Sequence, residues 1–404
     1  MNQTDPVVYV AGLGVISAIG NNVDETLLSF QKQQAGMSAI TMLDTIHRDQ
    51  LPVAEVKLGN QQLAAIGNVS PLIPRTALLS MVAAKEALAD AGLTQASSLR
   101  CGFISANTTG GMDLSENFFA EFRKDPAAGK LHNIIHHECG AVTDLVADAL
   151  GINHYVSTIS TACSSSANAI FFGARLIRHN ILDVVVAGGT DALTKFTING
   201  FNTLMILDKE FCKPFDENRK GLNLGEGAGY VVLVSEDLMK GLGKKPYAFL
   251  SGYANANDAY HQTASSPDGT GSWLAMTGAL KRSGLQTSDI DYINLHGTGT
   301  QNNDVAEGSA IQRLFTPDFP PMSSTKSFTG HTLGASGSIE AVFSCLAIRH
   351  GLIFPNLRFG QQMKELSFKP ETNYLVNQEV NNVMSNSFGF GGNCSSLIFS
   401  KPQL

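Results

Sequence analysis

Four separated stretches of this chain carry side chains that could do chemistry. In the first, Ser160-Thr161-Ala162-Cys163-Ser164-Ser165-Ser166, a cysteine is set among small and hydroxyl residues. The segment behind it, Ala167 to His179, repeats Ile170, Ala174 and Ile177 at near-helical spacing. Cys163 is therefore expected at a strand-to-helix turn. Helix N–H groups and the positive end of the dipole there favour thiolate over thiol, which makes a nucleophile. A buried structural cysteine is the alternative. The second stretch, Asn294-Leu295-His296-Gly297-Thr298-Gly299-Thr300, ends an apolar strand on a histidine that could donate from one ring nitrogen while the fold fixes the other, or serve only structurally. The third runs Ser323-Ser324-Thr325-Lys326-Ser327-Phe328-Thr329-Gly330-His331-Thr332-Leu333-Gly334. It brings a lysine close to a second histidine among small residues, although Lys326 could also be an ordinary surface lysine. The fourth, Asn386-Ser387-Phe388-Gly389-Phe390-Gly391-Gly392-Asn393, sets three glycines around two aromatics. It reads as a tight turn into the last strand, Leu397-Ile398-Phe399, and its N–H groups could cradle an oxyanion.

The elements that must position these groups come from an internal repeat. Val7-Val8-Tyr9-Val10-Ala11-Gly12 has the form of Tyr247-Ala248-Phe249-Leu250-Ser251-Gly252, and the glycine-stopped helix end at 87–93 matches that at 279–285. Each helix end precedes an apolar strand, Cys101 to Ser105 or Tyr292 to Leu295, which runs into Thr/Gly. Ile177-Arg178-His179 later matches Ile348-Arg349-His350. These matches predict two related α/β halves, 1–240 and 246–404, joined near Lys240 to Pro246. Strands such as Val184 to Ala187, apolar on both faces, suit a sheet covered by helices, giving alternating layers. Equivalent strand ends could then converge on one site, with Cys163 opening a helix of one half and the segment around His331 opening its counterpart.

Composition limits the function classes. With 404 residues, 43% hydrophobic and 16% charged, the chain can bury a large core. No apolar run is long enough to span a bilayer and no signal-peptide pattern is present, so a cytoplasmic location is expected. Six widely spaced cysteines without a CxxC pair indicate neither a disulfide framework nor a zinc knuckle. A net charge of -7 argues against general nucleic-acid binding. His136-His137-Glu138-Cys139 is a poor metal cluster, because adjacent histidines seldom share a face.

TACSSS at 161–166, HGTGT at 296–300, KSFTGH at 326–331 and NSFGFGG at 386–392, with GLGVIS near the start and LGEGAG at 224–229, together resemble the β-ketoacyl synthases of the thiolase-like fold. The second histidine in the GHTLG motif resembles the elongating, synthase II-like branch. The resemblance implies that Cys163 takes an acyl group from an acyl carrier protein, with the N–H groups of Cys163 and Phe390 as the oxyanion hole. His296 and His331 then stabilise the enolate left by decarboxylation of a malonyl carrier. It implies that Lys326 belongs to the catalytic set, acting electrostatically near His331 or chiefly holding the loops together, with Asn386 and Phe388 beside the site. Glu340 would orient the lysine loop and help hold a monovalent cation. Phe390, flanked by Gly389 and Gly391, would be a gate against the loop Asn257 to His261. Thr109, Thr298, Thr300 and Phe201 would line the substrate pocket. No organic cofactor is implied. Thr109 is smaller than the residue usual there and suggests a polyene or polyketide chain as an alternative to a fatty acid. Carrier-docking charge, sparse around Arg75 and Lys85, could come from Lys209, Lys213, Arg219 and Lys220. The partner is expected to be a twin chain or a chain-length factor. A non-catalytic subunit is opposed by the presence of Cys163, and a cysteine hydrolase by two histidines without an acidic orienter.

Overall fold

Ten strands form one mixed sheet in the computed structural model, which describes residues 6–93 and 99–402. Five belong to the first part of the chain: β1 (Val8–Ser17), β2 (Cys101–Ala106), β3 (Tyr155–Ile159), β4 (Val184–Asp191) and β5 (Gly227–Ser235). Five follow: β6 (Ala248–Asn257), β7 (Tyr292–Asn294), β8 (Met322–Ser323), β9 (Asn382–Gly389) and β10 (Asn393–Ser400). Their order is β3-β2-β4-β5-β1-β6-β10-β9-β7-β8. From the centre outward, each set runs first, fifth, fourth, second, third. The senses also match, because β2 is parallel to β3 and β4 as β7 is to β8 and β9, while β5 and β10 are antiparallel to both neighbours. The two sets meet where Tyr9 pairs with Phe249 and Val10 with Ala248.

The repeated glycine has a packing cause. A Cβ on Gly12 would fall 2.3 Å from the carbonyl oxygen of Ala87, and one on Gly252 would fall 2.3 Å from that of Ala279. Only glycine lets the helices Arg75–Ala91 and Thr270–Ser283 lie this close on β1 and β6. On β4, Val185 and Ala187 face one hydrophobic core while Val184 and Val186 face another, so helices cover both sides of the sheet. Between the layers, helices Ser165–Arg178 and Ser336–His350 pack on each other, tied by the N–H of Ser338 donating to Ser166 Oγ at 2.9 Å. Both helices begin at the seam, and the chemistry gathers at their starts.

Candidate active site

The turn that carries Cys163 is closed by its own hydroxyls. After β3 the backbone enters the left-handed region at Ala162, φ 53°, and the helix starts at Ser165. Ser164 Oγ donates to the carbonyl of Thr161 at 2.9 Å, and Ser165 Oγ joins its own backbone N–H in donating to that of Ala162, at 2.5 Å, so the serine run ties the tight turn to itself. Cys163 is thereby held at a cavity of about 340 Å³, also lined by Phe201, His296, Thr298, Thr300, His331, Phe388, Gly389 and Phe390.

His331 Nε2 lies 3.1 Å from Cys163 Sγ. The rings of His296 and His331 stand nearly perpendicular, 5.4 Å between centroids. The donor facing the far nitrogen of each ring fixes its tautomer. The N–H of Leu333 donates to His331 Nδ1 at 3.1 Å, and the Lys326 ammonium, which has no acceptor capacity, donates to His296 Nδ1 at 3.2 Å. Both neutral rings therefore carry their proton on Nε2, toward the cavity. Burial first, and then the Lys326 charge, holds both histidines well below the usual imidazole range; the His331 ring adds to the effect on His296.

The thiol departs from the expectation of a favoured thiolate. Burial pushes Cys163 up to about 11, outweighing the Lys326 charge and the backbone N–H groups of Phe390 and Cys163 that face the sulfur. Burial of the sulfur costs the anion more than the nearby donors return.

Lys326 is not a surface lysine. It is buried, with Nζ 2.5 Å from Glu340 Oε1, and so stands between that carboxylate and His296. Glu340 is raised to about 7 by burial against the Lys326 charge, and its Oε2 is buried with no hydrogen-bond partner. An orphaned carboxylate oxygen of this kind fits a monovalent cation. Asn386 lies outside the cavity and acts one layer back, donating to Glu307 Oε1 at 3.3 Å. Glu307 in turn accepts from the N–H groups of His296 and Gly297, both at 2.8 Å.

Phe390 stacks on Phe201 at 5.9 Å, and Phe388 lies edge-on to His296 at 6.1 Å. The loop that contains Asn257 to His261 does meet the glycine hairpin: Asn257 Nδ2 donates to the Gly391 carbonyl, and the Asp258 N–H donates to that of Gly392. Thr298 and Thr300 share a 2.9 Å contact between their hydroxyls at the cavity wall. Thr109 is placed elsewhere. It does not line this cavity, and its hydroxyl donates to the buried carboxylate of Asp191 at 2.8 Å.

The proposed docking charges also divide. Arg219 is buried, donating to the carbonyls of Thr300, Asp216 and Gln301, and Arg75 is tied to Glu226 at 2.7 Å. Neither presents its charge to a partner, because unpaired carbonyls and a carboxylate nearby already claim the guanidinium groups. Lys85 donates to the Gly67 carbonyl. Lys209 and Lys220 are exposed, Lys213 is half-buried, and Lys220 reaches the cavity. Of the supposed metal cluster, His137 Nδ1 is engaged by Ser115 Oγ at 2.9 Å.

Sequence reasoning missed three supports: Glu307, Asp191 and the N–H of Leu333. For Glu307 a signal existed. Asp304, Glu307 and Ile311 share one helical face, so two acids lie on the apolar stripe where a solvated helix would carry none. Asp191 binds Thr108, Thr109 and the N–H of Gly334 across the seam, which no local pattern announces.

A buried thiol beside two ε-protonated imidazoles, at the seam of a duplicated α/β fold, suits a condensing enzyme of the acyltransferase class. The chain matches the family models "Beta-ketoacyl synthase, N-terminal domain" over residues 5–238 and "Beta-ketoacyl synthase, C-terminal domain" over residues 247–360. It belongs to the beta-ketoacyl synthase family. A 3-oxoacyl-[acyl-carrier-protein] synthase 2 of Staphylococcus aureus (strain COL) is 32% identical over 412 residues, 99% of each chain. One of Rhizobium meliloti (strain 1021) is 40% identical over 276 residues, 65% of each chain. Among solved structures, the ishigamide ketosynthase/chain length factor superposes with a TM-score of 0.92 at 28% identity, over 98% of this chain and 100% of that one. The ketosynthase ApeO in complex with its chain length factor ApeC, from Xenorhabdus doucetiae, gives 0.83 at 29% identity, over 100% and 99%.

Proposed function

We propose that this chain joins an acyl group held as a thioester on Cys163 to the two-carbon unit of a malonyl-acyl carrier protein, with loss of carbon dioxide. The single observation that carries the reading is the His331 Nε2 to Cys163 Sγ contact of 3.1 Å, with His296 alongside; the donors at both Nδ1 atoms imply that each ring carries its proton on Nε2. In the first half-reaction Sγ attacks the thioester carbonyl of the acyl carrier. The N–H groups of Cys163 and Phe390 hold the oxyanion, each contributing about 3 kcal/mol, and the carrier thiol leaves with the proton. Acylation removes the sulfur as an acceptor for His331, freeing its Nε2–H. His296 and His331 then donate to one oxygen, the malonyl thioester carbonyl, and stabilise the enolate as carbon dioxide departs. The carbanion attacks the acyl-Cys163 carbonyl and expels Sγ as a thiolate, which takes up a proton from solvent to restore the thiol, giving a β-ketoacyl carrier two carbons longer.

Lys326 holds the tautomer of His296, Glu307 and Asn386 hold its backbone, and Phe390 gates the cavity with Gly389, Gly391 and the Asn257 loop. Thr298, Thr300 and Phe201 contact the carrier arm. Glu340 would hold a monovalent cation through Oε2, and the ion would supply charge compensation there. Residues 1–240 and 246–404 form the two halves, a division supported by the repeated strand order. The location is cytoplasmic, consistent with six free cysteines; no helix among the described residues is long and apolar enough to cross a membrane.

A second reading of the assembly rests on the two neighbours solved as ketosynthase with chain length factor. In it this chain, which keeps the nucleophile, is the catalytic half of such a pair rather than of a homodimer, and the product is a polyene or polyketide. Mass spectrometry after incubation with acyl carrier should show one acyl adduct on Cys163, and malonyl carrier should then remove it as a product two carbons longer. An adduct on another residue, or none, would sink the proposal. Co-purification with an inactive homologue separates the two assemblies.

A further inference from the structure

Among the described residues, Cys163, His296 and His331 are the one group of three potential metal ligands whose donor atoms all lie within 4.8 Å of one another, and all three are buried at a cavity with room for a further ligand. Thiolate and imidazole at that spacing, with an open position, are what zinc takes in protein sites. We propose that this cluster is built to refuse divalent metal ions, and that Lys326 and the N–H of Leu333 are the groups that refuse them.

A metal on Nε2 needs that nitrogen's lone pair, so the ring proton must move to Nδ1 and find an acceptor there. Metal-binding histidines meet this need with a carboxylate, a carbonyl or a water behind the ring. Here both rings are backed by donors. His331 Nδ1 faces the N–H of Leu333 at 3.1 Å, a backbone group that cannot reverse its polarity. Ser336 Oγ, at 3.1 Å, could accept from Nδ1–H, but the Leu333 N–H would then be buried without a partner. His296 Nδ1 faces the Lys326 ammonium at 3.2 Å, which is also a positive charge beside the position a dication would take. Glu340 Oε1, 2.5 Å from Nζ, holds that side chain in place behind the ring.

The series Glu340, Lys326, His296 makes the point sharply. Without the lysine side chain, a water in its place would connect His296 Nδ1–H to Glu340, completing the carboxylate–histidine arrangement that zinc sites use. The lysine thus lets a cysteine and two histidines share one cavity in a cell that contains zinc without becoming a zinc trap. The inference does not depend on the proposed reaction, because metal binding is measured without substrate and acylation of Cys163 is tested separately.

The experiment titrates Zn²⁺ by calorimetry, and Co²⁺ by the thiolate-to-cobalt absorption band, into the full chain, into Lys326→Ala and into Lys326→Ala/Cys163→Ser. The single variant should bind at least about 100-fold more tightly than the unsubstituted chain, with the thiolate band, and the double variant should lose both. If the unsubstituted chain binds within threefold of Lys326→Ala, the proposal is overturned. Should thermal unfolding show Lys326→Ala to be unfolded, Lys326→Met/Glu340→Leu replaces it. That variant removes the buried pair as a unit and the donor behind His296 with it, and it should still gain at least tenfold. No gain there overturns the proposal equally.

Discussion

Replacing Gly389 by alanine should slow acylation of Cys163 by about 10²–10³ while sparing decarboxylation of malonyl carrier. Gly389 has φ −106° and ψ 163°, open to any residue, so the change brings no backbone strain. Its need for glycine is proximity. A Cβ there would lie 2.9 Å from the backbone nitrogen of Cys163 and 3.3 Å from both Ala162 Cβ and Ser164 N, about half an ångström inside ordinary contact with the nucleophile's own N–H. Either the methyl covers that N–H, or the hairpin retreats and takes the Phe390 N–H with it. Both outcomes remove one of two oxyanion donors, each worth about 10²–10³ in rate. Overpacking should also lower stability by about 1–3 kcal/mol. The assay pairs rapid-quench mass spectrometry of acyl-Cys163 with carbon dioxide release from malonyl carrier, which needs only the two histidines. Acylation within threefold of the unsubstituted enzyme would refute the reasoning, as would an equal fall in both activities. Gly391→Ala is the contrast. There φ is 74° and the nearest atom is the movable Asn393 Nδ2, so strain of about 1–2 kcal/mol is expected with a milder effect on acylation.

Alkylation of Cys163 by iodoacetamide, followed on its own peptide, should rise about tenfold per pH unit from about 7 to 10, because a thiol raised to about 11 exposes little thiolate below that value; a plateau reached by pH 8 would show the sulfur to be ionised already. Glu307 is raised to about 7 by burial, above its ordinary 4.5, so the native chain holds an extra proton in that window and this group's share of stability falls as pH rises through it. Glu307→Gln should flatten the fall of Tm between pH 5 and 8 and, by leaving one N–H at His296-Gly297 without an acceptor, slow decarboxylation about tenfold; unchanged kinetics would remove its positioning role. Arg219→Ala should destabilise the chain by about 3 kcal/mol or more, since Asp304 and three loop carbonyls lose a buried cation. Lys209→Ala/Lys220→Ala should instead raise KM for acyl carrier several-fold and weaken its salt dependence at unchanged Tm. The reverse pattern would move the docking surface elsewhere.

What the sequence determined by itself is what local chemistry and repetition encode. The strand, glycine and helix-end matches gave two α/β halves because the same close helix-to-strand approach, through Gly12 and Gly252, recurs in each. Cys163 at a strand-to-helix turn was legible because Ile170, Ala174 and Ile177 follow its small-residue setting at near-helical spacing. Tertiary structure alone decided the rest. That the thiol is held up at about 11 rather than activated follows from what packs over the turn, and spacing carries no record of burial. That Lys326 and Arg219 are interior while Lys220 is not depends on carboxylates and carbonyls reached only across the fold. That both imidazoles turn Nε2–H toward the cavity depends on a backbone N–H and an ammonium behind them. Residue type settles which side chains can carry a proton; whether they hold it, and which way it points, is set by neighbours that chain order keeps far apart.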